Sequence, residues 1–556
     1  MMSFLQWLDT HPVAHGLTAW GCFALGLASA LSPSRPAAPS SRAPFLGHPA
    51  VFASLLLLTL LAFRWPSWFA PVEFNPDESQ IVAGALTLQS SPVFWKYVDG
   101  TTHGPLNEYA LNLAALFGLP LTHAGARAMA TLLLAGTLIC LWQTLRPFLA
   151  EPAVRLAVFP ALCVWAFSWA GDYVHYSSEL VAVSLLAGAG WALTAMLRPQ
   201  APSRTAPLVA GALLALVPLA KLQATPLALV LGLAALSTLV WSRPAGWVRL
   251  AAGLVGGALL VGAGLGLFLV VYGLEAQFWY SYVVSNLAYA GSRDHPLHDM
   301  PNYFWSFLTT GQSFAWFFYG TMAYVLYRAH AVWQAADVTR RRALLAAWLL
   351  VLLAYLCVIY PGRRVAHYLH LLVGPLTLLA GLHLASPPTT GRAFRGIPAS
   401  LLAVLLLLTV LPQAVNRWLA VPFHPGQLAE HLATPASAAA RHIQARSQPG
   451  DLLTVWGWEP RLHVETQLAQ GTREAHSAFQ LFAGPMQDFY RSRYLRDLQA
   501  RQPAWFVDAT GPGAFVFDAA RHGHEIFPAL QTLIAERYAL QAQIGSTRIY
   551  HLKSPH

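Results

Sequence analysis

The sequence predicts a polytopic α-helical membrane protein with a small α/β domain at its C-terminal end. Of the 556 residues, 56% are hydrophobic and only 10% are charged, which is too apolar and too charge-poor for an ordinary soluble surface. Apolar stretches near the roughly 20 residues that cross a bilayer recur up to about residue 416. From 417 to 556, polar and apolar residues are mixed, as in a soluble domain of ordinary size.

About twelve segments are apolar and long enough to be transmembrane helices. They are 13–31, 49–69, 127–149, 153–171, 173–198, 206–220, 222–241, 247–272, 303–328, 343–361, 366–386 and 398–416. Lysine and arginine mark the cytoplasmic side of such proteins. Here arginines recur in every second connection between the predicted spans. They stand at 35 and 42, 146 and 155, 198 and 204, 243 and 249, 328 and 340–342, and 392 and 395. This alternation places the N-terminus, the loops 70–126 and 273–302, and the C-terminal region on the exoplasmic side.

Three regions follow from this pattern: 1–48, 49–416 and 417–556. The first carries Asp9 and neither lysine nor arginine ahead of its apolar stretch, so we interpret it as a helix of the mature protein, not a cleaved signal, followed by a cytoplasmic linker. The second holds the remaining spans. In the third, apolar runs at 452–456, 505–507 and 515–517 predict short strands, and 486–500 has a helical pattern, so a small exoplasmic α/β domain is expected.

Several function classes lack support in the sequence. The net charge is +10, but the basic residues are scattered between apolar segments, so no nucleic-acid surface is predicted. All four cysteines lie inside predicted spans, which leaves none for an exoplasmic disulfide. There is no Walker phosphate loop, no paired Cys-x-x-Cys and no His-Glu-x-x-His, and cytoplasmic nucleotide chemistry is therefore unsupported.

The loop 70–126 carries the most informative acids, and loops of this length are usually functional. Asp77 and Glu78 stand at a predicted helix start just outside the second span, where a carboxylate meets both lipid and water and is suited to general-base work. The alternative is a role in capping the helix. His103 and Glu108 are secondary candidates in the same loop, since a loop histidine is more often structural.

A second group of polar residues follows at helical spacing. Asp172, His175, Tyr176 and Glu179 stand at i, i+3, i+4 and i+7, which predicts one helical stripe descending from the outer membrane face. Acids within a membrane need a partner and are functional candidates, although they also serve as polar glue between helices. Lys221 stands at the outer junction of two spans and is one of three lysines in the chain.

Two arginines depart from the charge alternation. Arg363 and Arg364 fall on the exoplasmic side, where their forked donors could hold a phosphate, with His367 and Tyr368 at the start of the next helix. The alternative is contact with lipid headgroups. The aromatic loop 273–302, which contains Asn286, could cover such a site.

Taken in chain order, these motifs resemble those of bacterial C-type (GT-C) glycosyltransferases, in particular the protein O-mannosyltransferases and lipid A aminoarabinose transferases. The resemblance covers roughly residues 49 to 500 and rests on joint order, because each piece is a loose motif. The motifs are Asn75-Pro-Asp-Glu78, His103-Gly-Pro-Leu106, Arg127, Gly362-Arg-Arg-Val-Ala-His-Tyr368 with Pro375, and Val455-Trp-Gly-Trp-Glu-Pro460.

The resemblance implies a GT-C-like fold in the bacterial cytoplasmic membrane and transfer of a sugar from a polyprenyl-phosphate donor to an exoplasmic hydroxyl of a protein, lipid or glycan. Asp77, beside Glu78, would act as the base. Arg363, Arg364 and Lys221 would bind the donor phosphate. The cavity would be lined by His103, Asp172, Glu179, Asn286, His367 and Tyr368, although many relatives have a lysine and two prolines at His103. Some relatives bind a divalent metal, for which Asp77, Glu78 and His103 offer ligands.

Two other function classes stay open. In a transporter or flippase, Asp172, Glu179 and Lys221 would form a path for an ion or a lipid-linked substrate, but no repeated halves are visible in the sequence. In a non-catalytic assembly or sensing protein, the C-terminal domain would be a binding module. Release of polyprenyl phosphate distinguishes the transferase from both.

Overall fold

The computed structural model describes residues 7, 10–32, 45–70, 73–197, 203–291, 296–309, 313–363, 365–384, 399–419, 436–512 and 517–553. Within these ranges, helices occupy the region up to Leu419 and a small sheet appears only in the C-terminal region. The predicted class, a polytopic helical membrane protein with a small α/β domain, is confirmed.

Eight helices of the described chain are long and apolar enough to cross a membrane. They are Val13–Leu31, Pro49–Trp68, His123–Leu145, Glu179–Met196, Leu222–Ser242, Trp247–Tyr272, Val338–Ile359 and Ala366–Leu384. Ala206–Ala220 is a shorter apolar helix. Three more helices, Glu151–Phe167, Ser313–Ala335 and Ala399–Leu419, occupy the remaining predicted spans. Each of the predicted apolar segments therefore contains a helix, with shifted boundaries.

Glycines allow two of the apolar helices to pack closely against each other. A Cβ added to Gly211 would lie 1.9 Å from the carbonyl oxygen of Leu254, and one added to Gly257 would lie 2.0 Å from that of Leu208. Ala206–Ala220 and Trp247–Tyr272 are thus in backbone contact, as is common where lipid offers no hydrophobic drive between helices.

The loop 70–126 is largely helical. Asn75 caps the helix Pro76–Ser90, because its side chain accepts a hydrogen bond from Asp77 N, and Pro76 supplies the fixed φ favoured in the first turn. A second helix, Leu106–Leu116, packs against the first. Both stretches were expected to be helical.

The segment 273–302 is a helix for most of its described length, not the loop that the sequence predicted. It contains Glu275–Gln277, the π-helical turns Phe278–Val284 and the helix Ser285–Gly291. Residues 292–295 lie outside the described ranges. The predicted span 303–328 overlaps two described helices, Met300–Thr309 and Ser313–Ala335, and residues 310–312 lie outside the described ranges.

In its described residues, the C-terminal domain has five strands. Three are parallel: β1 (Leu452–Trp456), β2 (Ala469–Gln470) and β3 (Trp505–Asp508). The other two, β4 (Tyr538–Ile544) and β5 (Thr547–Leu552), form an antiparallel hairpin that pairs with β3 through β5. The strand order in the sheet is β2-β1-β3-β5-β4. The helix Gln487–Arg501 confirms the predicted helical pattern. The strand predicted at 515–517 is not found at Phe517, and 515–516 lie outside the described residues.

The C-terminal domain contacts the loop 70–126 through buried polar groups. Arg493 pairs with Glu474 at 2.5 Å and with Asp99 of the loop. Gln470 N donates to Thr87 Oγ1 at 2.9 Å. These contacts join the domain to the loop that carries Asp77.

Candidate functional site

Asp77 occupies the first turn of the helix Pro76–Ser90, where the helix dipole favours a carboxylate. Its side chain is 34% exposed, and Oδ2 lies 3.9 Å from His367 Nε2. Because the Asn75 side chain caps the helix by accepting the Asp77 N–H, the Asp77 carboxylate is not needed as the cap. It is thus available to a substrate.

Glu78 has a different environment, although it is the next residue. It is fully buried, and Arg127 donates to both of its carboxylate oxygens at 2.8 to 3.1 Å. Burial by itself raises the pKa of Glu78, but the guanidinium of Arg127 holds it below its usual value. Tyr176 N also donates to Glu78 Oε1, at 3.0 Å. This arrangement makes Glu78 a structural anchor for the helix start that presents Asp77.

The predicted helical stripe through Asp172 and Glu179 is wrong. A single helical turn, Gly171–Val174, is followed by extended backbone at His175, and the spanning helix begins only at Glu179. The cause is non-local: buried Arg64 donates to Tyr173 O at 2.7 Å and to Val174 O at 3.1 Å. The fold nevertheless brings Asp172, His175 and Glu179 to one place, around His367.

His367 lies among three acids. Its Nδ1 is 3.6 Å from Asp172 Oδ1, and its Nε2 is 3.7 Å from Glu179 Oε2 and 3.9 Å from Asp77 Oδ2. The imidazole side chain is only 2% exposed. The acids come from two segments of the chain, one with Asp77 and one with Asp172 and Glu179, and these segments meet at His367.

Lys221 neutralises one of these acids. Its Nζ is 2.9 Å from Glu179 Oε1 and donates to Ser178 Oγ at 2.8 Å. The same ammonium lies 5.5 Å from the centre of the Tyr368 ring. Lys221 stands between Ala206–Ala220 and the turn Leu222–Ala224, at the helix junction that the sequence predicted.

A cavity of about 440 Å³ opens beside Lys221. Its polar lining contains Lys221, Asn286, Tyr289, Tyr368 and Thr102, and its apolar lining contains Leu222, Pro226, Leu287, Ala290, Leu353, Leu356, Cys357 and Pro361. Leu287 is 65% exposed and Leu356 42% exposed. The latter belongs to the spanning helix Val338–Ile359, so the cavity combines a polar end with an apolar flank at the membrane-facing surface.

Arg363 reaches the edge of this cavity. Its guanidinium lies 4.8 Å from the centre of the Tyr289 ring, and Tyr289 shares a hydrogen bond with Tyr368. Burial raises the pKa of Tyr289, Arg363 and Lys221 oppose that rise, and Asp77 adds to it. Arg363, Lys221 and Asp77 therefore act electrostatically on the same phenol. Arg364 lies outside the described residues.

The resemblance offers Asp77, Glu78 and His103 as candidate metal ligands, and a metal there stays a prediction. Among the described residues, Asp77, Glu78 and His103 do not bring three ligand atoms within 4.8 Å of one another, whereas Asp172, His175 and His367 do. His103 Nε2 instead lies 2.6 Å from Glu108 Oε1, and both side chains are buried. Burial raises the pKa of Glu108, and His103 partly offsets this. His103 is also absent from the lining of the cavity, which its neighbour Thr102 reaches.

Sequence reasoning missed Tyr289, Thr102 and the carbonyl contacts of Arg64. Tyr289 was foreseeable, because it lies in the segment 273–302, which we expected could cover a site. Arg64 was not, since a single arginine in an apolar span carries no local sign of the carbonyls it binds 109 and 110 residues away.

No family model matches this sequence, and no curated protein matches it. Among solved structures, the chain is similar to ArnT from Cupriavidus metallidurans, known bound to undecaprenyl phosphate and in the apo state. The TM-score is 0.54 at 16% identity, over 90% of this chain and 98% of that chain.

Two weaker similarities are to the Archaeoglobus fulgidus oligosaccharyltransferase tethered with an acceptor peptide and to the mycobacterial arabinofuranosyltransferase AftD. The oligosaccharyltransferase has a TM-score of 0.42 and is 14% identical, over 88% of this chain and 72% of that chain. AftD has a TM-score of 0.45 and is 15% identical, over 91% of this chain and 40% of that chain. The ArnT similarity runs over nearly the whole of both chains. The chain shares the fold of ArnT, which is the GT-C fold.

Proposed function

We propose that this protein is a membrane glycosyltransferase that moves a sugar from a polyprenyl-phosphate donor to an acceptor hydroxyl. One observation carries the proposal. Asp77, whose carboxylate is not needed to cap its helix, interacts electrostatically with Tyr289, and Tyr289 and Lys221 line a cavity that also has an apolar flank. This combination suits a substrate with a charged head and a long isoprenoid tail.

The donor would lie in the cavity with its tail along the apolar flank. Lys221, Tyr289 and Tyr368 line the polar end, and Arg363 stacks at its edge, so these side chains would hold the phosphate by charge and hydrogen bonds. The related ArnT structure is one with undecaprenyl phosphate bound, which supports a lipid of this chemistry. Arg364 is proposed only from the sequence as a further phosphate ligand.

In the transfer step, Asp77 would take the proton from the acceptor hydroxyl as its oxygen bonds to the sugar carbon. The bond from that carbon to the phosphate oxygen breaks, and polyprenyl phosphate leaves with the electron pair. Because the leaving group is stabilised by nearby cations, Lys221 and Arg363 would supply electrostatic stabilisation. Glu78 would not react; with Arg127 it fixes the helix start that carries Asp77.

We further propose a bacterial cytoplasmic membrane location, with the site and the C-terminal domain on the exoplasmic face. The support is the recurrence of arginines in every second connection between spans. The acceptor would be a protein, lipid or glycan that reaches Asp77 from the exposed side.

The test is transfer by the full-length protein in proteoliposomes, using donors of the polyprenyl-phosphate class and scoring released polyprenyl phosphate by mass spectrometry. Asp77→Asn keeps the shape of the side chain but removes the base, and we expect the rate to fall by about 10² to 10⁴. Glu536→Gln, an exposed acid of the C-terminal domain, is the matched control and should retain activity. Full turnover by folded Asp77→Asn protein would remove Asp77 as the base.

The same vesicles separate the transferase from a lipid transporter. Movement of the donor between leaflets without release of polyprenyl phosphate, unchanged in Asp77→Asn, would favour transport along Lys221 and Glu179.

A further inference from the structure

We propose that Arg341 and Arg342 bind the phosphate headgroup of an anionic phospholipid. Both arginines lie in the first turns of the spanning helix Val338–Ile359. The other end of this helix carries Leu356, which lines the donor cavity, roughly 20 Å away along the helix axis. The arginine site is therefore on the membrane face opposite the cavity, and it does not depend on the proposed transfer reaction.

Two tryptophans hold the guanidinium groups at the ends of neighbouring helices. The Arg342 guanidinium lies 4.0 Å from the centre of the Trp241 ring, and that of Arg341 lies 5.5 Å from the centre of the Trp333 ring. Arg341 Nε also donates to Trp333 O at 3.3 Å. Trp241 is 60% exposed and Trp333 43% exposed. Tryptophan at the end of a transmembrane helix occupies the headgroup level of the bilayer, so the arginines are held at that depth.

The charge of both arginines is unbalanced. In the described part of the chain, no acid forms an ion pair with either guanidinium, and the Arg342 side chain makes no hydrogen bond. The nearby acid Asp337 is used elsewhere, since it caps the helix by accepting the Arg340 N–H at 2.7 Å. Stacking on a ring occupies the face of a guanidinium and leaves its donors at the edge free. These donors match the oxygens of a phosphate.

An apolar surface continues from the arginines along the same helix. Leu345, Leu349 and Leu352 are exposed, and they follow Arg342 at i+3, i+7 and i+10, which places them on one helix face with it. A free anion would use only the guanidinium groups. A phospholipid would also lay its acyl chains along these leucines, so a lipid explains the charged and the apolar parts of the surface together.

A second arginine group on this membrane face serves as an internal comparison. Arg146 lies 5.2 Å from the centre of the Trp142 ring, as Arg342 does from Trp241. However, Glu151 lies 3.2 Å from Arg146 Nε and 3.3 Å from Arg155 Nε. A carboxylate of the protein already holds the position of the phosphate, and we expect no headgroup there.

The test is native mass spectrometry of the full-length, delipidated protein, titrated with phosphatidylglycerol or phosphatidylcholine of identical acyl chains. We expect wild type to bind phosphatidylglycerol at least about 10-fold more tightly. In the double variant Arg341→Gln/Arg342→Gln, the affinity for phosphatidylglycerol should fall by about 10- to 30-fold, since each arginine near an anionic headgroup contributes about 5-fold. Arg146→Gln, the matched control, should bind within about twofold of wild type because its charge is already paired.

Three results would overturn the proposal. Equal binding of the two lipids by wild type would do so whatever the folding of the variants. Equal losses in Arg146→Gln and the double variant, both monodisperse, would show diffuse attraction by all the arginines of this face. Displacement of phosphatidylglycerol by millimolar inorganic phosphate would show a site for the free anion. Asp77→Asn should lose transfer and keep lipid binding, so the two proposals fail separately.

Discussion

At the scale of single residues, the adjacent carboxylates of Asp77 and Glu78 differ in exposure and in their partners, and we therefore expect different roles for them. Asp77 keeps part of its surface exposed, whereas Glu78 is sealed against Arg127 with both oxygens bonded. A charge in such a position is tolerated only with its partner, because removing one member leaves the other buried and uncompensated. The two residues therefore differ in what their loss should do.

Glu78→Gln should destabilise the fold rather than act on the chemistry directly. We expect a loss of about 3 to 5 kcal/mol, the usual cost of breaking a buried pair, measured as a lower melting temperature in detergent. Asp299→Asn, at an exposed pair with His298, is the control and should change stability by less than about 1 kcal/mol. Equal melting temperatures for wild type and Glu78→Gln would contradict the anchoring role.

The same pair gives a pH dependence. Because the pKa of Glu78 is lower in the folded protein than its ordinary value of 4.5, its contribution is complete above about pH 5 to 6 and is lost as pH falls through the folded-state pKa. In melting curves recorded from pH 7 down to pH 3, the difference in melting temperature between wild type and Glu78→Gln should shrink as the pH falls. A gap between the two proteins that stays constant over this range would contradict the assignment.

At the scale of elements, the turn around Gly104 positions the loop against the membrane helices. A Cβ added to Gly104 would lie 2.1 Å from the carbonyl oxygen of Leu219 and 2.7 Å from Tyr282 Oη. The Gly104 N–H also donates to Ala220 O at 3.0 Å. The turn therefore presses on the end of the helix that precedes Lys221.

Gly104→Ala should accordingly displace the turn from Lys221. We expect overpacking to cost about 1 to 3 kcal/mol, together with weaker donor binding, measured as a higher KM for the polyprenyl-phosphate donor. Gly136→Ala is the matched control, because a Cβ at that position in a spanning helix meets nothing within 4 Å. A wild-type KM in Gly104→Ala would show that the turn does not position the cavity.

Elements with local signals were predictable from the sequence. The helix at Asp77 follows from Asn75 and Pro76, and the spanning helices follow from apolar length. The hairpin β4 and β5 was missed although Gly545 and Ser546 form a short turn between its strands, which is a readable signal. The break between Gly171 and Glu179 was not predictable, since it depends on a buried arginine from another helix.

The candidate site was predictable as a set of residues but not as a geometry. Lys221, Asn286 and Tyr368 line one cavity, and their roles in binding a substrate stay predictions. His103 is absent from the lining of this cavity and pairs with Glu108, which the sequence offered only as a separate candidate. The grouping of His175 with His367 joins residues nearly 200 positions apart, and periodicity within one segment cannot reveal such a pairing.

At the scale of the whole molecule, the C-terminal domain is tied to the site through Arg493. This buried residue, on the helix Gln487–Arg501, contacts Asp99 of the first loop and Ser281 of the π-helical segment. Asp99 stands shortly before Thr102, which lines the cavity. The domain thus constrains both segments that border the polar end of the cavity.

Arg493→Met should loosen this connection. We expect faster hydrogen exchange in the peptides around Asp99 and Ser281, together with reduced transfer, because two acids lose their common partner. Arg496→Met, an exposed position one turn along the same helix, is the control and should leave exchange unchanged. Unaltered exchange at Asp99 in Arg493→Met would show that the two parts are held together by other contacts.

The claim on which the functional account depends is that the donor phosphate binds at the polar end of the 440 Å³ cavity. The most direct measurement is an electron cryomicroscopy map of the full-length protein in nanodiscs with polyprenyl phosphate. The account predicts phosphate density within hydrogen-bond distance of Lys221 or Arg363, near Asp77, with the tail passing Leu353 and Leu356. Phosphate density elsewhere, with this cavity filled only by bulk lipid, would contradict it.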